Sequence, residues 1–187
     1  FGNIAASGGY YVACAADRIV AQPTTITGSI GVLISSLNIM GLGDKLGIRD
    51  VTIKSGENKD LFNPLRDMTP AQTALVQQVV DSLHSRFVGL VAEGRRRTRE
   101  EIRPLADGRI FTAPTALEAG LVDELGYWRE AVAATAQLLE TSDLKVMRYE
   151  EPFSWTSLFR AVADGPRAIR AALRPAHTLR VQYLFTP

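Results

Sequence analysis

Ala5-Ala6-Ser7-Gly8-Gly9-Tyr10-Tyr11 is the stretch that decides how this chain is read. One serine stands between two alanines and two glycines, at the mouth of a short apolar helix expected over residues 10–16. Two roles compete for it. Ser7 can cap the helix, its oxygen accepting a hydrogen bond from an N–H of the first turn. Its hydroxyl can instead be a nucleophile, because no bulky neighbour blocks a substrate carbonyl. The N–H groups that open a helix lack intrahelical partners and are able to hold an oxyanion.

Outward from Ser7 the elements alternate. Residues 18–21 are short and β-branched, Gln22-Pro23-Thr24 is a turn, and residues 26–34 read as an apolar strand punctuated by glycine. Residues 40–46 predict a short helix stopped by Gly47, and Asp50-Val51-Thr52-Ile53-Lys54 alternates as a strand with one buried face does. Thr69-Pro70 is an N-cap followed by proline at the first helical position. Leu75, Val76, Val79, Val80, Leu83, Phe87, Leu90 and Val91 then recur at helical spacing. Thr98 and Glu101 have capping-box spacing for a short helix up to Pro104. Residues 109–112 read as a strand, 114–119 as a helical turn or two ended by Gly120, and 128–139 as an amphipathic helix. Strands and helices in alternation imply an α/β layered fold.

With 187 residues, 46% of them apolar and 22% charged, the chain has material for one globular domain plus a tail. Its 21 basic and 20 acidic side chains nearly cancel, so bulk electrostatics gives no reason to expect a nucleic-acid partner. No cofactor and no metal is expected. Cys14, the single cysteine, cannot form an internal disulfide and sits in an apolar run that suits a small buried hydrophobe. No run reaches the roughly 18 apolar residues of a membrane span. Phe1-Gly2-Asn3-Ile4 runs directly into the serine motif without a methionine, which reads as a severed strand and an N-terminally truncated fold. The expected division is 1–149 as the C-terminal portion of a catalytic domain and 150–187 as a tail. That tail, amphipathic over 157–173 but broken at Gly165-Pro166 and carrying Arg160, Arg167, Arg170 and Arg174, reads as solvated or as packing on a neighbouring subunit or a membrane surface.

A serine hydroxyl attacks only when a base takes its proton. The two histidines give little: His84 lies inside the long amphipathic helix and His177 in the tail, neither with a flanking carboxylate to orient it. A lysine replaces histidine where burial disfavours the ammonium form. Lys54, at the end of an expected strand, and Lys59, in the loop after Ser55-Gly56-Glu57-Asn58, are the candidates. The competing reading for both is a solvated surface charge, and Asp60 beside Lys59 favours it by holding the amine protonated.

Several linked motifs carry a resemblance. Ala5-Ala6-Ser7-Gly8-Gly9-Tyr10-Tyr11, Ala16-Asp17-Arg18-Ile19, Pro23 and Thr27-Gly28-Ser29-Ile30-Gly31-Val32 resemble the signal peptide peptidase A family of membrane-attached Ser-Lys proteases. Asp44-Lys45-Leu46-Gly47-Ile48, Ile53-Lys54-Ser55-Gly56, Asn58-Lys59-Asp60, Ala106-Asp107-Gly108-Arg109 and Gly120-Leu121-Val122-Asp123-Glu124-Leu125-Gly126 continue it in order, over about residues 4–130. The resemblance implies Ser7 as nucleophile and Lys59, 52 positions later, as general base, with Lys54 the second choice. It implies Ser29 as the hydroxyl that orients the lysine, a role that aims a neutral amine without charging it. An ordinary turn is the other reading of Thr27-Gly28-Ser29. Gly8, directly after the nucleophile, is the oxyanion donor expected within this chain, and the family's second donor comes from an upstream glycine-rich loop that this sequence lacks.

The implied fold is crotonase/ClpP-like, with stacked ββα units that commonly assemble into homo-oligomeric rings. The implied activity is that of a serine endopeptidase working through an acyl-enzyme on cleaved signal peptides or other apolar peptides. Membrane attachment would come through a segment outside this chain, with the catalytic domain on the extracytoplasmic side. Ile30, Val32 and Leu33 are candidate pocket walls, with core packing as the alternative. The other function class is a catalytically silent scaffold that binds peptides or assembles rings. An acyl-CoA hydrolase or isomerase of the same superfold is a third, and it lacks an identifiable acidic catalytic residue and adenine-binding loop.

Overall fold

The computed structural model describes residues 1–147, so the expected tail lies outside the described residues. Two compact units are present. Phe1–Ser35 and Thr69–Leu144 form the first, and Ser36–Met68 belongs to the second.

The first unit has the α/β character that the alternating elements imply. Strand β1 (Ile4–Ala6) pairs in parallel with β3 (Ile26–Gly28), and β4 (Ile110–Thr112) adds antiparallel to β3. A second small sheet joins β2 (Val20–Ala21) to β5 (Glu124–Leu125), also in parallel. Helix α1 (Gly8–Ala13) starts two residues earlier than its apolar residues suggest, because the turn at Ser7 leads directly into both glycines. The strand expected over 26–34 stops at Gly28, since Gly28 and Ser29 have φ of 80° and 51° and leave extended geometry together. A side chain at Gly28 would also collide with the ring of Phe111.

Helix α3 (Pro70–Gly94) forms as its sequence requires. The Thr69 side chain accepts from the Gln72 N–H while Gln72 accepts from the Thr69 N–H, and Pro70 occupies the first turn. Thr98 and Glu101 close the same reciprocal box on α4 (Arg99–Ile102). Helices α5 (Ala113–Glu118) and α6 (Trp128–Leu138) follow. Phe87 and Val91 of α3 meet Tyr10, Ile30, Ile102 and Leu121 in a core where each is 0% exposed. Sealing a side chain of the size of Phe87 contributes about 1.5–3 kcal/mol. Gly94 ends α3 directly against the Cys14 carbonyl, where no methyl group fits. The Tyr10 hydroxyl donates to the Leu121 carbonyl at 2.7 Å, which satisfies the one polar group that the core ring carries inward.

In the second unit, α2 (Met40–Leu46) ends at Gly47 with φ 70°, the left-handed stop expected there. The Ile39 N–H donates to Pro64 O at 2.7 Å and Asn38 accepts from the Met40 N–H at 2.9 Å. The strand with one buried face expected over 50–54 is absent. Val51 and Ile53 are 85% and 97% exposed, and no described strand lies alongside to receive the ladder. Alternation marks a surface able to pair, but a strand forms only against a partner.

Candidate active site

Ser7 sits on the sharp turn between β1 and α1 with φ 52° and ψ −115°. This conformation favours glycine, and a non-glycine residue held there stores about 1–3 kcal/mol of strain. The surroundings over-determine it: the Ser7 N–H donates to Gly28 O at 2.8 Å and its carbonyl accepts from the Tyr11 N–H at 2.8 Å. The residue is only 4% exposed. Its hydroxyl makes no capping hydrogen bond, so the capping role does not hold. A serine on a strained strand-to-helix turn, flanked by small residues, matches the geometry of a nucleophile elbow.

Ser29 occupies the equivalent point on the neighbouring strand. Ala6 of β1 is in register with Gly28 of β3, so Ser7 and Ser29 leave the ends of two adjacent parallel strands side by side, both with positive φ. Adjacent strands run about 4.8 Å apart, which sets the scale of the spacing between the two backbones. The C-terminal edge of a parallel sheet is where α/β proteins place their sites. Ser29 is fixed from the other side as well, its N–H donating to Arg109 O at 2.8 Å. The Arg109 guanidinium grips both oxygens of Asp107 at 2.6–2.9 Å, and this holds the Asp107 carboxyl down at about 2. The Gly108 N–H donates to Ile30 O at 3.1 Å. The Asp107-Gly108-Arg109 motif is therefore the clamp that seats the Ser29 turn, a role its spacing alone did not disclose.

Within the second unit, Lys59 stands on an exposed loop turn, its N–H donating to Gly56 O at 3.2 Å. It lines a cavity of about 650 Å³ together with Asp50, Asn58, Phe62 and Leu65. Asp60 does not hold the Lys59 amine as its proximity in sequence suggests, because its carboxylate is taken by Lys54 at 3.0 Å and by Arg66. Lys54 also donates to Glu57 O at 2.9 Å. Among the described residues, the Lys59 ammonium makes no hydrogen bond or ion pair. The second-choice lysine is thus committed to a carboxylate, and the first is not.

The remaining candidates have structural roles. His84 Nε2 lies 2.7 Å from Ala106 O and ties α3 to the segment before β4. Cys14 is buried, and burial pushes its thiol up to about 11, far from reactive thiolate behaviour. Ile30 is sealed in the core, Val32 is half-buried and Leu33 exposed. Arg95 forks onto Asp123, whose Oδ2 also accepts the Ile19 N–H at 2.6 Å, and Arg18 pairs with Glu124 at 2.7 Å. Burial acts to raise the Asp123 carboxyl, but the Arg95 and Ile19 hydrogen bonds outweigh it and hold it below the usual range. These contacts account for the Asp17-Arg18-Ile19 and Gly120–Gly126 motifs as the lock between β2 and β5. No group of acidic, histidine or cysteine side chains among the described residues is arranged to hold a metal ion, and no described helix is long and apolar enough to cross a membrane.

Comparison with known proteins supplies the family. The model of peptidase family S49 matches residues 1–142. A protein of Enterococcus faecium that carries the name signal peptide peptidase SppA is 43% identical over 150 residues, covering 80% of this chain and 44% of that protein. Protease 4 of Salmonella typhi is 33% identical over 92% of this chain and 29% of its own length. The chloroplastic serine protease SPPA of Arabidopsis thaliana is 33% identical over 72% of this chain and 20% of its own. The chain therefore spans about half or less of the length of these relatives. A solved enoyl-CoA hydratase/isomerase family protein of Hyphomonas neptunium aligns over 96% of this chain and 59% of its own, at 19% identity and a TM-score of 0.31, too low to add to the fold assignment. The α/β layering of the first unit stands on its own strands and helices, and the family model over residues 1–142 together with the 43%-identical relative shows that this chain belongs to peptidase family S49.

Proposed function

We propose that the chain carries the catalytic portion of a serine endopeptidase with a Ser7–Lys59 dyad. The observation that carries this reading is the strained, non-capping Ser7 held beside Ser29 at the ends of two parallel strands. Lys59, as a neutral amine, takes the proton from the Ser7 hydroxyl as Oγ attacks the scissile carbonyl carbon. The Gly8 N–H supports the oxyanion, since the first N–H groups of a helix have no intrahelical acceptor. The protonated Lys59 then gives its proton to the leaving amine, which departs and leaves an ester on Ser7. Lys59 next deprotonates a water that attacks this ester, and returns the proton to Ser7 as the acid product leaves. Ser29 acts as a positioning residue that aims the Lys59 lone pair. The amine must be kept from water to stay neutral, a condition that an apolar bound peptide favours.

The substrates in this reading are cleaved signal peptides and other apolar peptides. The setting is a membrane-attached ring with the catalytic portion on the extracytoplasmic side. Peptide cleavage by the protein tests the dyad. Ser7→Ala and Lys59→Ala are expected to abolish turnover while Lys54→Ala retains much of it. A Lys59→Ala protein that still cleaves overturns the assignment, and an electrophilic serine inhibitor recovered on a residue other than Ser7 does the same. Full inactivity of a correctly folded parent would favour the silent scaffold.

A further inference from the structure

Residues 49–55 leave an open edge in the second unit. They make no backbone–backbone hydrogen bond among the described residues, and Val51 and Ile53 project 85% and 97% exposed. The segment nevertheless keeps the alternation of polar and apolar residues that a strand uses. The Thr52 hydroxyl donates to the Asp50 carboxylate at 2.8–2.9 Å, so these two side chains meet. β-branched residues at 51, 52 and 53 favour extended backbone. Among the described residues nothing pairs with this apolar edge, and an edge of this kind is a template for another strand.

We propose that this edge pairs with the same segment of a second copy of the chain, antiparallel and centred on Thr52. Charge complementarity selects this occupant and this register. Centring on Thr52 sets Asp50 opposite the second copy's Lys54, and Val51 opposite its Ile53, twice over by symmetry. Opposite charges and apolar β-branched pairs directly across a ladder each stabilise it. A slip by one residue would instead place Arg49 opposite Lys54, a repulsive pair. The groups involved have capacity to spare: the Lys54 ammonium has three donors, of which Glu57 O and Asp60 use two, and the Asp50 carboxylate, which accepts from Thr52 and from Asn63, offers about four lone-pair sites. One face of the paired ribbon then gathers Val51 and Ile53 from both copies, which removes these two exposed side chains from water. This contact is two-fold and closes on itself, unlike the head-to-tail contacts that build a ring.

Mild oxidation of variants of the full chain with one cysteine added to Cys14 tests the register. Thr52→Cys places two thiols directly opposite each other and is expected to form a disulfide dimer at least ten times faster than Val51→Cys or the parent with Cys14 alone. Thr52→Pro, which removes a ladder donor, is expected to shift sedimentation toward the monomer, and Asp50→Lys to do the same until Lys54→Asp is added. Equal cross-linking of Thr52→Cys and Val51→Cys overturns the register. A sedimentation profile unchanged by Thr52→Pro overturns the pairing, as does protection of residues 49–55 from hydrogen exchange by an added apolar peptide but not by raised protein concentration.

Discussion

Ser7 is fixed by two backbone hydrogen bonds, 4% exposed, on a turn whose neighbours leave it a single conformation. Lys59 rides an exposed loop tied locally by one backbone bond to Gly56 and by the polar contacts of Asp50, Lys54 and Asp60. The two units that carry them differ in the same way. The first packs Tyr10, Phe87, Ile102 and Leu121 to 0% exposure, while the second leaves Leu37, Leu42, Leu46, Val51 and Ile53 more than half exposed. In the proposed dyad the nucleophile must be aimed, and aiming needs a rigid frame. A lysine on a long flexible stem reaches its target with less help from its own backbone. Rigidity is therefore concentrated where the hydroxyl stands.

The contrast breaks most visibly through the core. Phe87→Ala is expected to lower the unfolding free energy by about 3–5 kcal/mol, whereas Ile53→Ala in dilute solution should stay within about 0.5 kcal/mol of the parent. Urea titration of both variants checks it, and a comparable loss for Ile53→Ala would erase the difference between the units. Acid supplies a second cut of smaller size. The Asp123 carboxyl lies below its ordinary value in the folded chain, so its contribution is fully present above the unfolded value near pH 4 and is lost as pH falls through the folded one. Asp123→Asn should therefore reduce stability at pH 7 and flatten the acid limb of a stability–pH curve, with the first unit giving way first in hydrogen exchange. The smallest effect sharpens the picture of the elbow. Ser7→Gly removes strain of about 1–3 kcal/mol against glycine's entropic penalty of about 0.5–1 kcal/mol, so the variant should be about 1 kcal/mol more stable than the parent in thermal unfolding.

The helices were legible in the chain because their ends are written in side chains that act locally. Thr69 with Pro70 and Thr98 with Glu101 close their caps as spaced, and Gly47 stops α2 where a left-handed residue is needed. Strands were harder to read. Their pairing is decided by residues far away in sequence, so 26–34 shrank to three residues and 50–54 formed no strand at all. The serine motif stood out as a candidate site but its backbone did not, since serine carries no signal for positive φ at either Ser7 or Ser29. Asp107 and Arg109 stood in a recognisable motif. That they seat Ser29 through a carbonyl emerged only from the hydrogen bonds.

The pairing of Ile4, Ala5 and Ala6 with Ile26, Thr27 and Gly28 works as a ruler laid between two distant stretches of chain. Side chains along a strand point alternately up and down, so one inserted residue between Thr27 and the end of β3 would turn the hydroxyl of Ser29 to the opposite side of the sheet while leaving composition, charge and every helix as they are. Length changes in the loop after α1 carry no such consequence, so an insertion within the three residues of β3 is expected to cost more than one in that loop.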